Sequence, residues 1–252
     1  MHLENGDFNI ESTSFLVNSV IVVGDASSDG AIGGALHIAD NAKLRCKNCT
    51  LNHNTARSAG GGIAIFNSSV VLEGALLRYN HAGEKGGAAA LLSPSDLTLI
   101  ESNVQANSAG VYGAGVYANS SRVNIQSSEL VHNVVGSAGG AVYASLTDVT
   151  ANDSSLKGNS ARPLIESGPQ STGGGGFYSD RGSLSLSACT VVDNSALPLG
   201  AGGGLKTTDS EVLLTGNIFS HNSALAGAVM RSHMPFVTLT AMHKPTTYND
   251  VW

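Results

Sequence analysis

Residues 33–54 read GGALHIADNAKLRCKNCTLNHN, with paired glycines at one end, Asn54 at the other and a C-x-x-C between them. Two readings compete for this stretch. Cys46 and Cys49 open a metal or redox site, or the whole phrase is one copy of something repeated. The rest of the chain decides between them.

The phrase recurs. Asn closes similar segments at Asn18, Asn54, Asn80, Asn107, Asn133, Asn159, Asn194 and Asn222, with spacings of 36, 26, 27, 26, 26, 35 and 28. A glycine-flanked small residue opens them at Ala35, Gly62, Ala88, Gly115, Ala141, Gly176, Gly204 and Ala228. From each opener to the next Asn is 18 or 19 residues. Length therefore varies only between an Asn and the glycines that follow it. A solenoid that carries its insertions on one edge has this pattern.

Apolar columns appear when residues are counted back from each Asn. Three before it stand Phe15, Leu51, Leu77, Val104, Leu130, Leu156, Val191 and Phe219; ten before it stand Phe8, Leu44, Val70, Leu97, Val123, Val149, Leu184 and Val212. The positions between are mostly polar. Period-two alternation is the mark of strands with one face buried. Each copy is expected to hold three short strands, and the Ala usually found two residues past Asn suits a tight turn. Stacked in register, such copies make an all-β fold, a single-stranded parallel β-helix. It would have eight to nine rungs of 26–28 residues, about 4.8 Å apart. The Asn column then has a mechanism. A buried amide is costly unless paired, and stacked amides can donate to one neighbour and accept from the other.

Composition agrees. The chain has 252 residues, 31 of them Gly and only 13% charged, which suits a helical bundle poorly. A formal charge of −6 argues against nucleic acid as a partner. No apolar run is long enough for a transmembrane helix. The opening MHLENGDFNI has neither the positive nor the apolar region of a signal peptide.

Two motifs carry a resemblance. Gly33-Gly34-Ala35-Leu36 and Gly139-Gly140-Ala141-Val142 are GGA[ILV]; Phe15-Leu16-Val17-Asn18 and Phe219-Ser220-His221-Asn222 are F-x-x-N. Together they resemble the repeats of chlamydial polymorphic outer-membrane proteins, within the pectate-lyase-like β-helix group, over roughly residues 8–239. The resemblance implies a right-handed helix and a cell-surface or extracellular setting. That family's C-terminal membrane barrel is not expected within these residues.

The repeat also reads the C-x-x-C. Cys46 falls in an aliphatic column and Cys49 in a small one, so both are expected as core fillers, with a local disulfide as the alternative. Zinc lacks a second ligand pair.

Four surface groups remain. Two residues past each opener, alternation points Tyr117, Tyr143 and Tyr178 outward on consecutive rungs, where aromatic faces suit sugar rings. Eleven before Asn come Asp96, Arg122 and Asp148. The two Asp lie two rungs, or about 9.6 Å, apart, near the carboxylate spacing of inverting glycosidases. The simpler reading is a solvated charge ladder. Asp25 and Asp29 head a loop with a partial calcium pattern, but its twelfth position is Leu36 rather than Glu. Otherwise no cofactor is expected. His53, His132 and His221 each precede a ladder Asn and are expected to face solvent.

Residues 1–239 are thus expected to form the β-helix, a fragment of a longer protein that lacks its N-terminal cap, and 240–252 an irregular tail. Uncapped rungs allow end-to-end association. The leading functional expectation is a non-catalytic extracellular or cell-surface module for adhesion, binding glycans or surface proteins. The alternative is a polysaccharide lyase or glycoside hydrolase that uses Asp96, Arg122 and Asp148. A purely structural spacer is the third.

Overall fold

The computed structural model describes residues 1–20, 32–162, 172–233 and 237–240. The chain is a right-handed parallel β-solenoid, with no helix among the described residues. Its strands form four parallel sheets. Sheet A has nine strands, from His2–Glu4 to Met230–His233, and sheet B nine, from Asp7–Glu11 to Val237–Thr240. Sheet C has eight, from Ser14–Leu16 to Ile218–Ser220, and sheet D eight, from Ser19–Val20 to Ser223–Ala226. The tail expected from 240 lies outside the described residues from 241 onward.

Sheet D adds a short fourth strand to the three expected per rung. Its strands are as short as Thr55–Ala56 and His81–Ala82. The Ala two residues past Asn does not simply fill a tight turn. Ala56, Ala82, Ala161 and Ala196 point inward and are fully buried, so they wall the fourth side of the core. Two residues leave too short a stretch for alternation to show.

The inward columns are as expected. Leu44, Val70, Leu97, Val123, Val149, Leu184 and Val212 stack in register and are at most 2% exposed. Each turn buries its apolar face against the next.

Corners are made by left-handed residues. The residue before each ladder Asn has positive φ: His53 at 56°, Tyr79 at 54°, His132 at 56° and His221 at 54°. This conformation turns the chain from sheet C to sheet D and leaves the three His exposed, as expected. A glycine makes the D-to-A corner, and there the backbones press together. A Cβ on Gly87 would stand 2.5 Å from the carbonyl oxygens of Ala114 and Ser108.

Inside the C-to-D corner runs the Asn ladder. The Asn107 amide Nδ2 donates to Asn133 Oδ1 at 3.0 Å and to the Leu77 carbonyl at 2.9 Å. Its Oδ1 accepts from Asn80 Nδ2 at 3.0 Å and from the Asn80 backbone N–H at 2.9 Å. The chain of amides runs unbroken from Asn18 through Asn54, Asn80, Asn107, Asn133, Asn159 and Asn194 to Asn222. All the hydrogen-bonding capacity of each interior amide is thus used.

Two more ladders, of hydroxyls, were not foreseen. At the B-to-C corner the backbone N–H of Ser102 donates to Ser128 Oγ, and that of Ser128 to Ser154 Oγ. At the A-to-B corner Ser68, Ser95, Ser121 and Thr147 do the same in series.

The C-x-x-C is settled by the B-to-C corner. Asn48, at φ 52°, turns the chain so that the Cα atoms of Cys46 and Cys49 stand 5.9 Å apart, and the two form a disulfide. Both are buried in the core, as the column reading expects, but bonded to each other rather than packed as separate thiols. That closes the zinc reading. Cys189 is a free, buried thiol.

Candidate functional site

Two faces of the solenoid place the expected side chains. The first is the outer face of sheet A. Tyr117, Tyr143 and Tyr178 pair in register on adjacent strands. Their rings stack, with centroids 5.5 Å apart for Tyr117–Tyr143 and 4.9 Å for Tyr143–Tyr178, at interplanar angles of 10° and 3°. The rung spacing alone imposes this geometry, because identical side chains one strand apart face each other at close to 4.8 Å.

The stack has parts the sequence did not show. Tyr112, on the segment that folds beside sheet A, brings its ring to 4.6 Å from Tyr143. An ammonium caps each end: Lys85 Nζ lies 5.5 Å from the Tyr117 centroid and Lys206 Nζ lies 5.3 Å from that of Tyr178. A cation over a ring face is attracted by its quadrupole. Lys206 was legible as the next residue of the column; Tyr112 was not, because it belongs to the segment where lengths vary.

Burial grades along the stack. Tyr117 and Tyr143 are half-buried, whereas Tyr178 is only 5% exposed. The expected outward platform therefore does not extend to Tyr178. Lys206 is 3% exposed and donates to the Thr172 carbonyl at 2.8 Å. Burial, with the Arg231 charge second, pushes its ammonium down to about 8. Burial also raises the phenols. For Tyr143 the nearby tyrosines add to it, and for Tyr178 a hydrogen bond from Thr208 opposes it.

Toward the N-terminus the aromatic column stops. Its next two positions are Ala90 and Ala64, both fully buried, before His37 and His2 resume it. On the same side lies a cleft of about 450 Å³ whose lining includes Phe66, Leu92, Tyr117, Asn119, Glu84 and Lys85 but neither Ala. Phe66 is 42% exposed, an accessible aromatic surface.

The second face is the A-to-B corner and the start of sheet B. Asp96, Arg122 and Asp148 pair in register on consecutive strands, as expected. Arg122 bridges to Asp96 at 3.3 Å, and Asp148 accepts from Ser183 Oγ at 2.6 Å. All three line an open groove of about 560 Å³ with Lys43, Asn67 and Ser121. Read along the sheet, the column is Asp7, Lys43, Ser69, Asp96, Arg122, Asp148, Ser183 and Glu211. Opposite charges alternate wherever charges meet, which is the arrangement that cross-strand neighbours favour.

Asp25 and Asp29 lie outside the described residues. Among the described residues no cluster of His, Cys, Asp or Glu is arranged to hold a metal ion. Likewise, no helix there is long and apolar enough to cross a membrane.

No curated protein matches the chain. No solved structure matches it either. The family model described as "Right handed beta helix region" matches residues 18–241, nearly the whole of the repeat. The chain belongs to the right-handed beta helix family.

Proposed function

We propose that this protein is a non-catalytic binding module that holds glycans or surface proteins on the outer face of sheet A. The observation that carries this reading is the cleft beside Tyr117. It combines aromatic walls with polar groups that donate and accept, in a concave space of ligand size. The resemblance to polymorphic outer-membrane repeats supports an extracellular or cell-surface setting.

A pectinase-like hydrolase or lyase is the second reading, favoured by the groove that Asp96 and Asp148 share. It is the lesser of the two because both carboxylates are already engaged, Asp96 by Arg122 and Asp148 by Ser183. A panel of neutral and acidic polysaccharides, followed for retention and for new chain ends, separates the readings. Retention without new ends is expected. New ends that vanish in Asp148→Asn, with folding intact, would move the protein to the enzymes.

A further inference from the structure

We propose that the C-to-D corner of the first three turns is a docking surface for an acidic polypeptide segment that carries aromatic or aliphatic side chains. It is a second surface, separate from the outer face of sheet A.

The corner presents bulky side chains where the backbone favours them least. Val17, His53 and Tyr79 hold the same place on successive turns, at φ of 54°, 56° and 54°. A β-branched or aromatic residue is strained in that left-handed conformation. Three turns beyond Tyr79 the same place is taken by Gly158, at φ 64°, which has no Cβ to strain. Yet Val17 is 77% exposed and Tyr79 49%, so little packing against the core offsets the strain. The Tyr79 ring lies instead against that of His53, with centroids 4.9 Å apart. Leu16, beside Val17, is also exposed. Strain held at an open corner, with no gain in the core, points to use of the surface rather than to folding.

The same corner is free of carboxylates. Residues 14–20, 50–56 and 76–82 run from sheet C round the corner to sheet D and contain none of the 19 Asp and Glu in the chain. The corresponding residues of the next turn, 103–109, contain none either. Along these segments the first carboxylate is Glu129, which accepts from Asn103 Nδ2 at 3.0 Å. Glu73, on sheet B, is held by Arg45 and Lys47. Arg78 therefore makes no ion pair among the described residues. Its Nε has no hydrogen-bond partner, and neither has Oδ1 of Asn52, its register neighbour. His53 and His81 are exposed on either side of Tyr79.

These features select the partner. An unpaired guanidinium binds a carboxylate through two parallel hydrogen bonds. Exposed Leu, Val and Tyr add apolar contact, and Tyr and Arg are the residues in which interface energy concentrates. The chain as a whole, at a formal charge of −6, repels an acidic partner, and a patch without carboxylates is where one can settle. A polypeptide brings a carboxylate and an apolar side chain on neighbouring residues, which matches Arg78 beside Tyr79.

The test measures binding of the full chain to four polymers by calorimetry: a Glu/Tyr copolymer, polyglutamate, a Lys/Tyr copolymer and heparin. Two variants go with it. Tyr79→Asn removes the ring and places a residue that tolerates the left-handed region; Arg78→Gln removes the charge. Thermal melts report folding. The Glu/Tyr copolymer is expected to bind, polyglutamate to bind more weakly and the Lys/Tyr copolymer not to bind. Each variant should weaken the Glu/Tyr copolymer about tenfold, with Tyr79→Asn melting no earlier than the parent. Binding that both variants leave unchanged would overturn the corner as the site. Equal binding of the Lys/Tyr copolymer would overturn the charge selection. Heparin bound in place of the Glu/Tyr copolymer would overturn the polypeptide as partner, and binding of none of the four would overturn the proposal outright.

Discussion

The Asn ladder and the Tyr stack are both columns of like side chains, one per turn, yet they behave differently. The ladder passes through every turn from Asn18 to Asn222. The stack covers three turns and then gives way to Ala90. Inside the corner, each amide completes bonds that its neighbours' backbone cannot make alone, so the position admits one chemistry. Outside, a ring adds contact to a sheet that is already paired, so the position is open to change. The interior column reports what the fold requires. The exterior column reports what the surface is for.

The comparison can be broken at its strong side first. Asn107→Ala should cost roughly 3 kcal/mol or more, because the Asn80 backbone N–H and Nδ2 lose their shared acceptor and the Leu77 carbonyl loses a donor in a dry corner. Urea denaturation measures it. A loss under about 0.5 kcal/mol would mean that the ladder is ornament rather than framework.

Next comes the stack. Tyr143→Ala should cost about 2 kcal/mol, since the ring is half-buried and touches three others. The same region sets a pH signature. Lys206 has its folded value near 8 against 10.5 for the free side chain. Between these, the unfolded chain holds a proton the folded chain has lost, so stability rises with pH. The phenols shift the other way. Above their ordinary value of 10.0 the unfolded tyrosines ionise first, and stability falls. Urea midpoints from pH 7.5 upward should therefore climb, peak and drop, and Lys206→Met should flatten the climb. A steady fall from pH 8 would contradict the buried-lysine account.

The smallest effect is expected at the charge column. Arg122→Ala should change stability by no more than about 0.5 kcal/mol, because both members of its pair with Asp96 are largely exposed. A loss above about 1 kcal/mol would make that column part of the framework and would sharpen the contrast with sheet A in the opposite sense.

Much of this was legible in the sequence, and the reasons are physical. The Asn and aliphatic columns stood out because no insertion falls between opener and Asn, so their spacing is preserved. Asp96, Arg122 and Asp148, and the three Tyr, fell into register for the same reason. The hydroxyl ladders were not recognised because Ser is common at solvated turns, and nothing in Ser102, Ser128 and Ser154 distinguishes a ladder from a loop. The fourth sheet was hidden by two-residue strands. The disulfide stood among open alternatives, since spacing alone does not bring Cys46 to Cys49; the left-handed Asn48 does. The cleft was hidden most completely. Two of its walls, Glu84 and Lys85, come from the segment where lengths vary.

That segment has one further consequence, in the entropy of closing a chain. Each ladder bond shuts a loop the length of one turn: 26 residues from Asn133 to Asn159, and 35 from Asn159 to Asn194. Closure entropy grows only with the logarithm of loop length, so the nine extra residues cost about 0.3 kcal/mol. The ladder above and below takes the same form in both cases. A solenoid of this kind can lengthen that one edge at almost no thermodynamic cost, so what the edge touches, rather than the stability of the coil, is left to set its length.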